Sequence, residues 1–288
     1  MLEFDLPEPF NSEKFEVFQK GISDNPSTDV YINERRDFLF LHPTPKTDYD
    51  QYIPRVKKYH LTEYKKKLQV IQRRLNKIDH LLENKPDSLL EIGAGDGSFL
   101  RIIRQSLPEI QLIAVDKDQN TAHDRIKNSD ENYSDLDELL KMNKRHKFIC
   151  LFHVLEHLLS PSHALTKIRR LMFSASFLII EVPSFSDPLI SLYSNQAYSK
   201  FYFQSQHPYV YSPSSLQRLM EHNGFQTLEL INYQRYGLEN HLNWLSQGRP
   251  GGNEVFRKLF GELEVAYTAA LERHGKTDTV IWVGNVIN

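Results

Sequence analysis

Glu91 closes a short apolar run, Leu89, Leu90 and Ile92, and glycines follow at positions 93, 95 and 97 in the segment SLLEIGAGDGSFL. Alternating glycines between a strand and a helix remove side chains where the backbone must turn sharply and approach a ligand. A second apolar run, LIAV, ends in Asp116. An acidic residue closing the second strand of such a unit can accept hydrogen bonds from both hydroxyls of an adenosine ribose. Spacing separates the cofactor classes: a pyrophosphate turn wants G-x-G-x-x-G, whereas this chain has G-x-G-x-G with Ser98 in the third slot, so a dinucleotide is disfavoured.

A second cluster lies at His153–His157, which spells H-x-x-E-H directly after the buried-type strand FICLF. On a helix that spacing reads as an inverted zinc-protease motif. Here it follows an apolar strand within an alternating strand and helix series, and a peptidase is not the expected answer. Of twelve histidines, His153, His157, His207 and His241 fall in segments placed at the carboxyl ends of strands, where α/β folds bind ligands.

The elements that must position these residues are legible as periodicity. Strands are expected at 88–92, 111–115, 147–152 and 176–182 and helices at 98–106, 121–127 and 162–173, an alternation that means a parallel sheet. Upstream, Leu61, Tyr64, Leu68, Ile71, Leu75, Ile78 and Leu82 step by three and four residues over 56–84, an amphipathic helix. That stripe packs on its own domain or forms a homodimer seam. Lys57, Lys58, Lys65–Lys67, Arg73 and Arg74 are read as its solvated face. Residues 1–55 carry Pro7, Pro9, Pro26, Pro43, Pro45 and Pro54 and read as an irregular arm with a short strand or turn near 38–41. The expected organisation is an arm and helix over 1–84 and a ligand-binding domain over 85–288, with insertions at about 185–211 and 234–276.

Composition narrows the class. A chain of 288 residues, 40% hydrophobic, 25% charged and with net charge −2 has no strong pull towards nucleic acid or anionic membrane. The single cysteine, Cys150, excludes a disulfide framework within one chain. No run approaches 18 apolar residues and the amino terminus lacks a basic and apolar leader, so a cytoplasmic protein without a membrane span is expected.

Glu91 with the glycine turn, Asp116, HVLEH, EVPS, HPYVYSPSSLQRLMEHNGF and TVIWVGNVIN together resemble the class I S-adenosylmethionine (SAM) methyltransferases, of the methyltransferase-23-like type, over about two thirds of the chain. The resemblance implies a Rossmann-like fold with a seven-stranded, mostly parallel sheet and an antiparallel last strand. It implies SAM as cofactor, held by Glu91, Gly93, Ala94, Gly95, Asp116, Lys117, Phe152 and His153. Asp96 either joins them or caps the following helix. The residue that contacts adenine is not evident, since 128–137 lacks a clean strand and Asp135 is a weak candidate.

Methyl transfer to an alcohol needs the acceptor proton removed, so histidines at this place point to a hydroxyl acceptor. His157 or His207 is the expected base, followed by His153, with Glu156 orienting a histidine. Some hydroxyl methyltransferases with a similar E-H bind a divalent cation there and use a later His, so Glu156, His157 and His207 are an alternative ligand set, although no residue is assigned to metal outright. Glu181 faces the acceptor or caps a helix. The insertions hold Tyr193, Tyr198, Phe201, Tyr202, Phe203, Tyr209, Tyr236, Asn240, His241, Asn243 and Trp244. Such residues suit a sugar ring or form a cap's own core. The stretch QRYGLENHLNWLSQGRPGG resembles a surface-polysaccharide or sugar-modifying subset. The expected activity is O-methylation of a small polar or carbohydrate acceptor such as a nucleotide sugar or glycan. A non-catalytic methyltransferase-like scaffold, or methylation of a quinone or RNA ribose hydroxyl, are the alternatives.

Overall fold

The computed structural model describes residues 4–45, 61–83 and 86–287. Its central sheet has seven strands in the order β10, β11, β8, β7, β4, β5, β6: β4 (Ser88–Ile92), β5 (Gln111–Val115), β6 (Glu131–Tyr133), β7 (His146–Phe152), β8 (Met172–Pro183), β10 (Phe225–Tyr233) and β11 (Thr279–Val286). Strand β11 runs antiparallel to both neighbours, and the pairs from β8 to β6 are parallel. Helices α2 (Ser98–Ser106), α3 (Ala122–Lys127), α4 (Leu136–Lys141), α5 (Pro161–Arg170) and α8 (Pro213–His222) join the strands. This is the Rossmann-like architecture expected of the sequence.

The pleat divides the core. Leu90, Ile92, Ile149, Leu151, Ile180 and Val182 point to one face. Leu89, Phe148, Cys150, Phe152 and Ile179 point to the other, as alternation along a strand requires. Helix α1 (Leu61–Leu82) covers this second face. Ile71, Leu75, Ile78 and Leu82 are buried there in one cluster with Leu89, Leu100 and Ile103, so this part of the stripe packs on its own domain. Residues 56–60, with Lys57 and Lys58, lie outside the described residues.

Three boundaries differ from the sequence reading. A short strand, β6, fills the acidic region, because Ile113, Ala114 and Val115 offer it a parallel ladder. Strand β8 starts at Met172, taking the end of the expected helix. The amino-terminal arm is regular: β1 (Phe15–Gln19), β2 (Asp29–Asn33) and β3 (Phe38–His42) form an antiparallel sheet completed by β9 (Tyr209–Tyr211) from the first insertion. Phe38 pairs with Tyr211 and Phe40 with Tyr209. Prolines outside the strands punctuate this sheet without preventing it. That insertion also carries α6 (Pro188–Ser191) and α7 (Gln196–Tyr202), and the second carries α9 (Leu238–Gln247), α10 (Glu254–Phe260) and α11 (Glu264–Arg273).

Replacing Ile78, fully buried on the inner face of α1, with Ala is expected to cost about 2–4 kcal/mol in urea unfolding at unchanged m-value. A cost below about 0.5 kcal/mol would contradict this packing.

Candidate functional site

The second face of the sheet gathers three residues at the carboxyl ends of adjacent strands. Glu91 follows Leu89 by two on β4, Phe152 follows Cys150 on β7, and Glu181 follows Ile179 on β8, so all three share the face that α1 covers. Helix α1 answers with Arg74. Its Nε donates to Glu181 Oε2 (2.6 Å) and its Nη2 to Glu181 Oε1 (2.8 Å), while the guanidinium lies 4.3 Å from the centre of the Phe152 ring. Burial opposes ionisation of Glu181, but Arg74 and His153 outweigh it and hold the carboxyl far below its usual range. Arg74 therefore does not belong to a solvated face. Both Glu181 oxygens are engaged by Arg74 and His153 and not by a helix amino end.

Glu91 has no such partner. It is 4% exposed, and its Oε2 makes no hydrogen bond among the described residues. Burial pushes its carboxyl up to about 8, with the charge of Arg74 opposing. It forms the floor of a cleft of about 340 Å³ walled by Ile71, Phe99 and Phe152 and bordered by Lys67 and Arg235. Gly93, Ala94 and Gly95 line the same cleft. Gly95 has φ +55° and a Cβ built there meets nothing within 4 Å, so its face is open to a ligand. At Gly93, φ +77°, a Cβ would strike Val154 Cγ2 at 2.2 Å, so the turn can pack on the loop after β7 only as glycine.

Asp116 ends β5 beside this turn. Its Oδ2 accepts from Gly95 N and its Oδ1 from Asp118 N, both at 2.7 Å, which ties the glycine turn to the second strand. Lys117 follows with an exposed side chain. Asp96 accepts from Ser98 N at the start of α2 and from Lys67 Nζ at 2.6 Å, linking the turn to α1. Asp135 caps α4 by accepting from Glu138 N (2.8 Å), so its carboxylate is engaged locally.

Beyond β7 the backbone of His153 takes φ +56°, a conformation that costs a non-glycine residue about 1–3 kcal/mol and persists only where surroundings impose it. Its N donates to Glu181 O (2.9 Å). The ring is held on both sides: Nδ1 donates to Glu156 Oε1 (3.1 Å), and Nε2 lies 2.9 Å from Glu181 Oε1 and 2.7 Å from Arg235 Nη1. Glu181 is satisfied when Nε2 carries a proton and Arg235 when it does not, so the two compete for one nitrogen. Burial and Arg235 lower the pKa of His153, but hydrogen bonds to Glu156 and Glu181 with the charge of Glu181 leave it raised. Both ring nitrogens of His153 are thus engaged by groups of this chain.

A short 3₁₀ turn, Leu155–His157, follows. His157 Nδ1 donates to Gln206 O (2.9 Å); a carbonyl only accepts, so in the neutral ring the lone pair sits on Nε2. His207 stacks obliquely on His157, ring centres 4.7 Å apart. Burial pushes His207 down to about 4, keeping it neutral near pH 7. The third partner is Glu156: Oε1 is engaged with His153, and Oε2 is buried without a hydrogen bond among the described residues. Burial raises its carboxyl pKa, but the hydrogen bond from His153 and the nearby histidines outweigh this and lower it. His241 lies apart, against Tyr267 (2.7 Å) within the cap.

Much of the aromatic inventory of the insertions is spent on packing. Tyr198 and Trp244 cluster with Leu189 and Ile190, Phe203 joins β2 and β3, and the amides of Asn240 and Asn243 donate to Gly251 O and Arg249 O. Tyr193, Phe201 and Tyr236 remain exposed. The sequence reading missed Lys67, Arg74 and Arg235. Arg74 carried a signal, lying three residues from Ile71 and four from Ile78 and hence on the buried stripe.

Residues 62–230 match the family described as Methyltransferase domain, more than half of the chain. Among solved structures, a SAM dependent methyltransferase from Archaeoglobus fulgidus is 20% identical with TM-score 0.53, covering 80% of this chain and 100% of that one. The complex between the Haloferax volcanii Trm112 methyltransferase activator and the putative methyltransferase includes a chain 14% identical with TM-score 0.54, over 79% of this chain and 96% of that one. At these identities the likeness is one of fold. No curated protein matches the sequence.

Arg74→Met leaves the Glu181 charge buried and unpaired, and is expected to cost about 3–5 kcal/mol at pH 7. Adding Glu181→Gln should recover part of that loss, and strictly additive costs in the double-mutant cycle would refute the pairing. Because the carboxyl pKa of Glu181 is lowered on folding, this stabilisation is present above the unfolded pKa and is lost as pH falls below it.

Proposed function

The chain belongs to the methyltransferase-domain family, and from that premise we propose that it methylates a hydroxyl of a small polar acceptor, with carbohydrate acceptors the first class to examine. It is a SAM-dependent methyltransferase, and the cleft fits that cofactor in three respects. The unpartnered Glu91 carboxyl on its floor suits an ammonium. Arg235 and Lys67 on its border suit a carboxylate, and the open face of Gly95 beside Asp116 suits a nucleoside. These groups complement the charges of the amino-acid end and the hydroxyls of the ribose end. When bound, SAM supplies a methyl group on a sulfonium whose displacement leaves a neutral thioether, so the leaving group needs no proton.

The protein's remaining tasks are to align the acceptor, exclude water and take up the acceptor proton. The observation that carries the hydroxyl reading is the convergence of His157 and His207 on Glu156, joined through His153 to Arg235 on the cleft border. In this reading His157 and His207 assist deprotonation, while Glu156 and His153 position them. Carbohydrate is favoured among acceptors by the exposed Tyr193 and Tyr236 on the insertions, since such rings offer an apolar face and a hydroxyl together.

Calorimetry with SAM tests the cofactor site. Asp116→Ala is expected to weaken binding at least about tenfold, as is usual when a charged hydrogen-bond partner is lost. Since Glu91 is protonated up to about pH 8 and must ionise to meet an ammonium, SAM binding near pH 7 should release close to one proton. Affinity should therefore rise with pH until about 8 and then level. Proton release compared between buffers of different ionisation enthalpy reads this directly, and its absence would reject the role given to Glu91. Labelled SAM with nucleotide sugars and glycans tests the acceptor class; methyl transfer confined to amines or carboxylates would reject the hydroxyl reading.

A further inference from the structure

We infer that Glu156, His157 and His207 form a binding site for one divalent first-row transition ion. The inference deepens the hydroxyl reading above and rests on it for its chemical purpose, though not for its geometry. One donor atom from each residue lies within 4.8 Å of the other two. Tetrahedral ligands at zinc-like bond lengths stand roughly 3.4 Å apart, so small side-chain rotations close the set around an ion.

Two of the three ligands are already oriented by a second group, as metal ligands characteristically are. His157 donates from Nδ1 to Gln206 O and so carries its lone pair on Nε2. Glu156 accepts from His153 at Oε1, and its Oε2 is buried with no hydrogen bond among the described residues, at 2% residue exposure. The hydroxyls of Tyr202 and Tyr211 are likewise buried without a hydrogen bond, and both feel the Glu156 charge. His153 serves Oε1 alone, and the buried Oε2 is left with a lone pair that a cation would satisfy.

The ligand chemistry names the class of ion. Two imidazoles and one carboxylate suit zinc and its first-row neighbours, whereas magnesium and calcium prefer oxygen-only sets. Three protein ligands leave a coordination position open. An acceptor hydroxyl entering there becomes more acidic and loses its proton to solvent. The step then needs no separate protein base: His157 and His207 assist deprotonation by holding the ion.

The test uses the full chain, stripped with EDTA and titrated separately with Zn²⁺, Co²⁺ and Mg²⁺ by calorimetry, with metal content counted after desalting and the Co²⁺ adduct read by visible absorption. One equivalent of Zn²⁺ or Co²⁺ should bind with Kd at or below about 10 μM, with Mg²⁺ at least about 100-fold weaker. His207→Ala and Glu156→Gln should each weaken Co²⁺ binding about 100-fold or more. His207→Ala should keep its SAM affinity within about threefold, which also reports that it is folded. Absence of stoichiometric Zn²⁺ and Co²⁺ binding would overturn the site, as would His207→Ala binding Co²⁺ like the parent. SAM binding without metal binding sinks the ion site alone, and metal binding without SAM binding sinks the cofactor reading while the ion site stands.

Discussion

Two carboxylates on the buried face of one parallel sheet, with a single guanidinium between them and the covering helix, set the terms for the rest of this molecule. Glu91 and Glu181 both lie at strand ends on the side covered by α1, where an ion without a counterion is costly to house. Arg74 gives Glu181 two hydrogen bonds, from Nε and Nη2, and so fixes α1 over the sheet through an interaction that apolar packing alone would not specify. Glu91 is left as a lone acid on the floor of the cleft. Inequality between the two acids divides their work: one locks the scaffold, the other waits for a ligand's charge.

A chain of contacts runs outward from that lock. Glu181 reaches His153, His153 reaches Glu156, and Glu156 stands against His157 and His207. The backbone of His153 is bent to φ +56° at the point where this chain leaves the sheet. What sits farthest along it, His207, comes from the first insertion and is anchored by β9, whose partner in the ladder is β3 of the amino-terminal sheet. A scaffold element, a glycine turn and an accessory sheet thus meet at one end of the parallel strands, where α/β folds place their ligands.

How much of this was legible in the sequence follows from the range of each signal. The glycine turn, Asp116 and the alternating strands are local patterns; they announced the fold, and Glu91, Gly93, Ala94, Gly95 and Phe152, which they single out, line one cleft. Arg74 was misread because a basic residue was assigned by its charge, although its spacing from Ile71 and Ile78 put it on the apolar stripe. Nothing local pairs Arg74 with Glu181, which lies 107 positions away. The amino-terminal sheet was missed for the same reason: β1 to β3 are short, and β3 gains its second neighbour, the sheet's fourth strand, only from β9. The aromatic residues of the insertions were ambiguous in principle, since a ring that packs a cap and a ring that greets a sugar have the same one-letter code.

The ladder between β3 and β9 also imposes an order of events on the newborn chain. Strand β3 presents one bare edge from the moment it forms, because its neighbour on that side, β9, is synthesised roughly 170 residues later, about ten to thirty seconds at common elongation rates. During that interval Phe38 and Phe40 offer an apolar, hydrogen-bond-hungry margin to any extended peptide nearby. Closure by Tyr209–Tyr211 ends the exposure and, in the same stroke, delivers His207 to its place. The order of synthesis thus ties the closing of one sheet edge to the placing of a residue about 170 positions downstream.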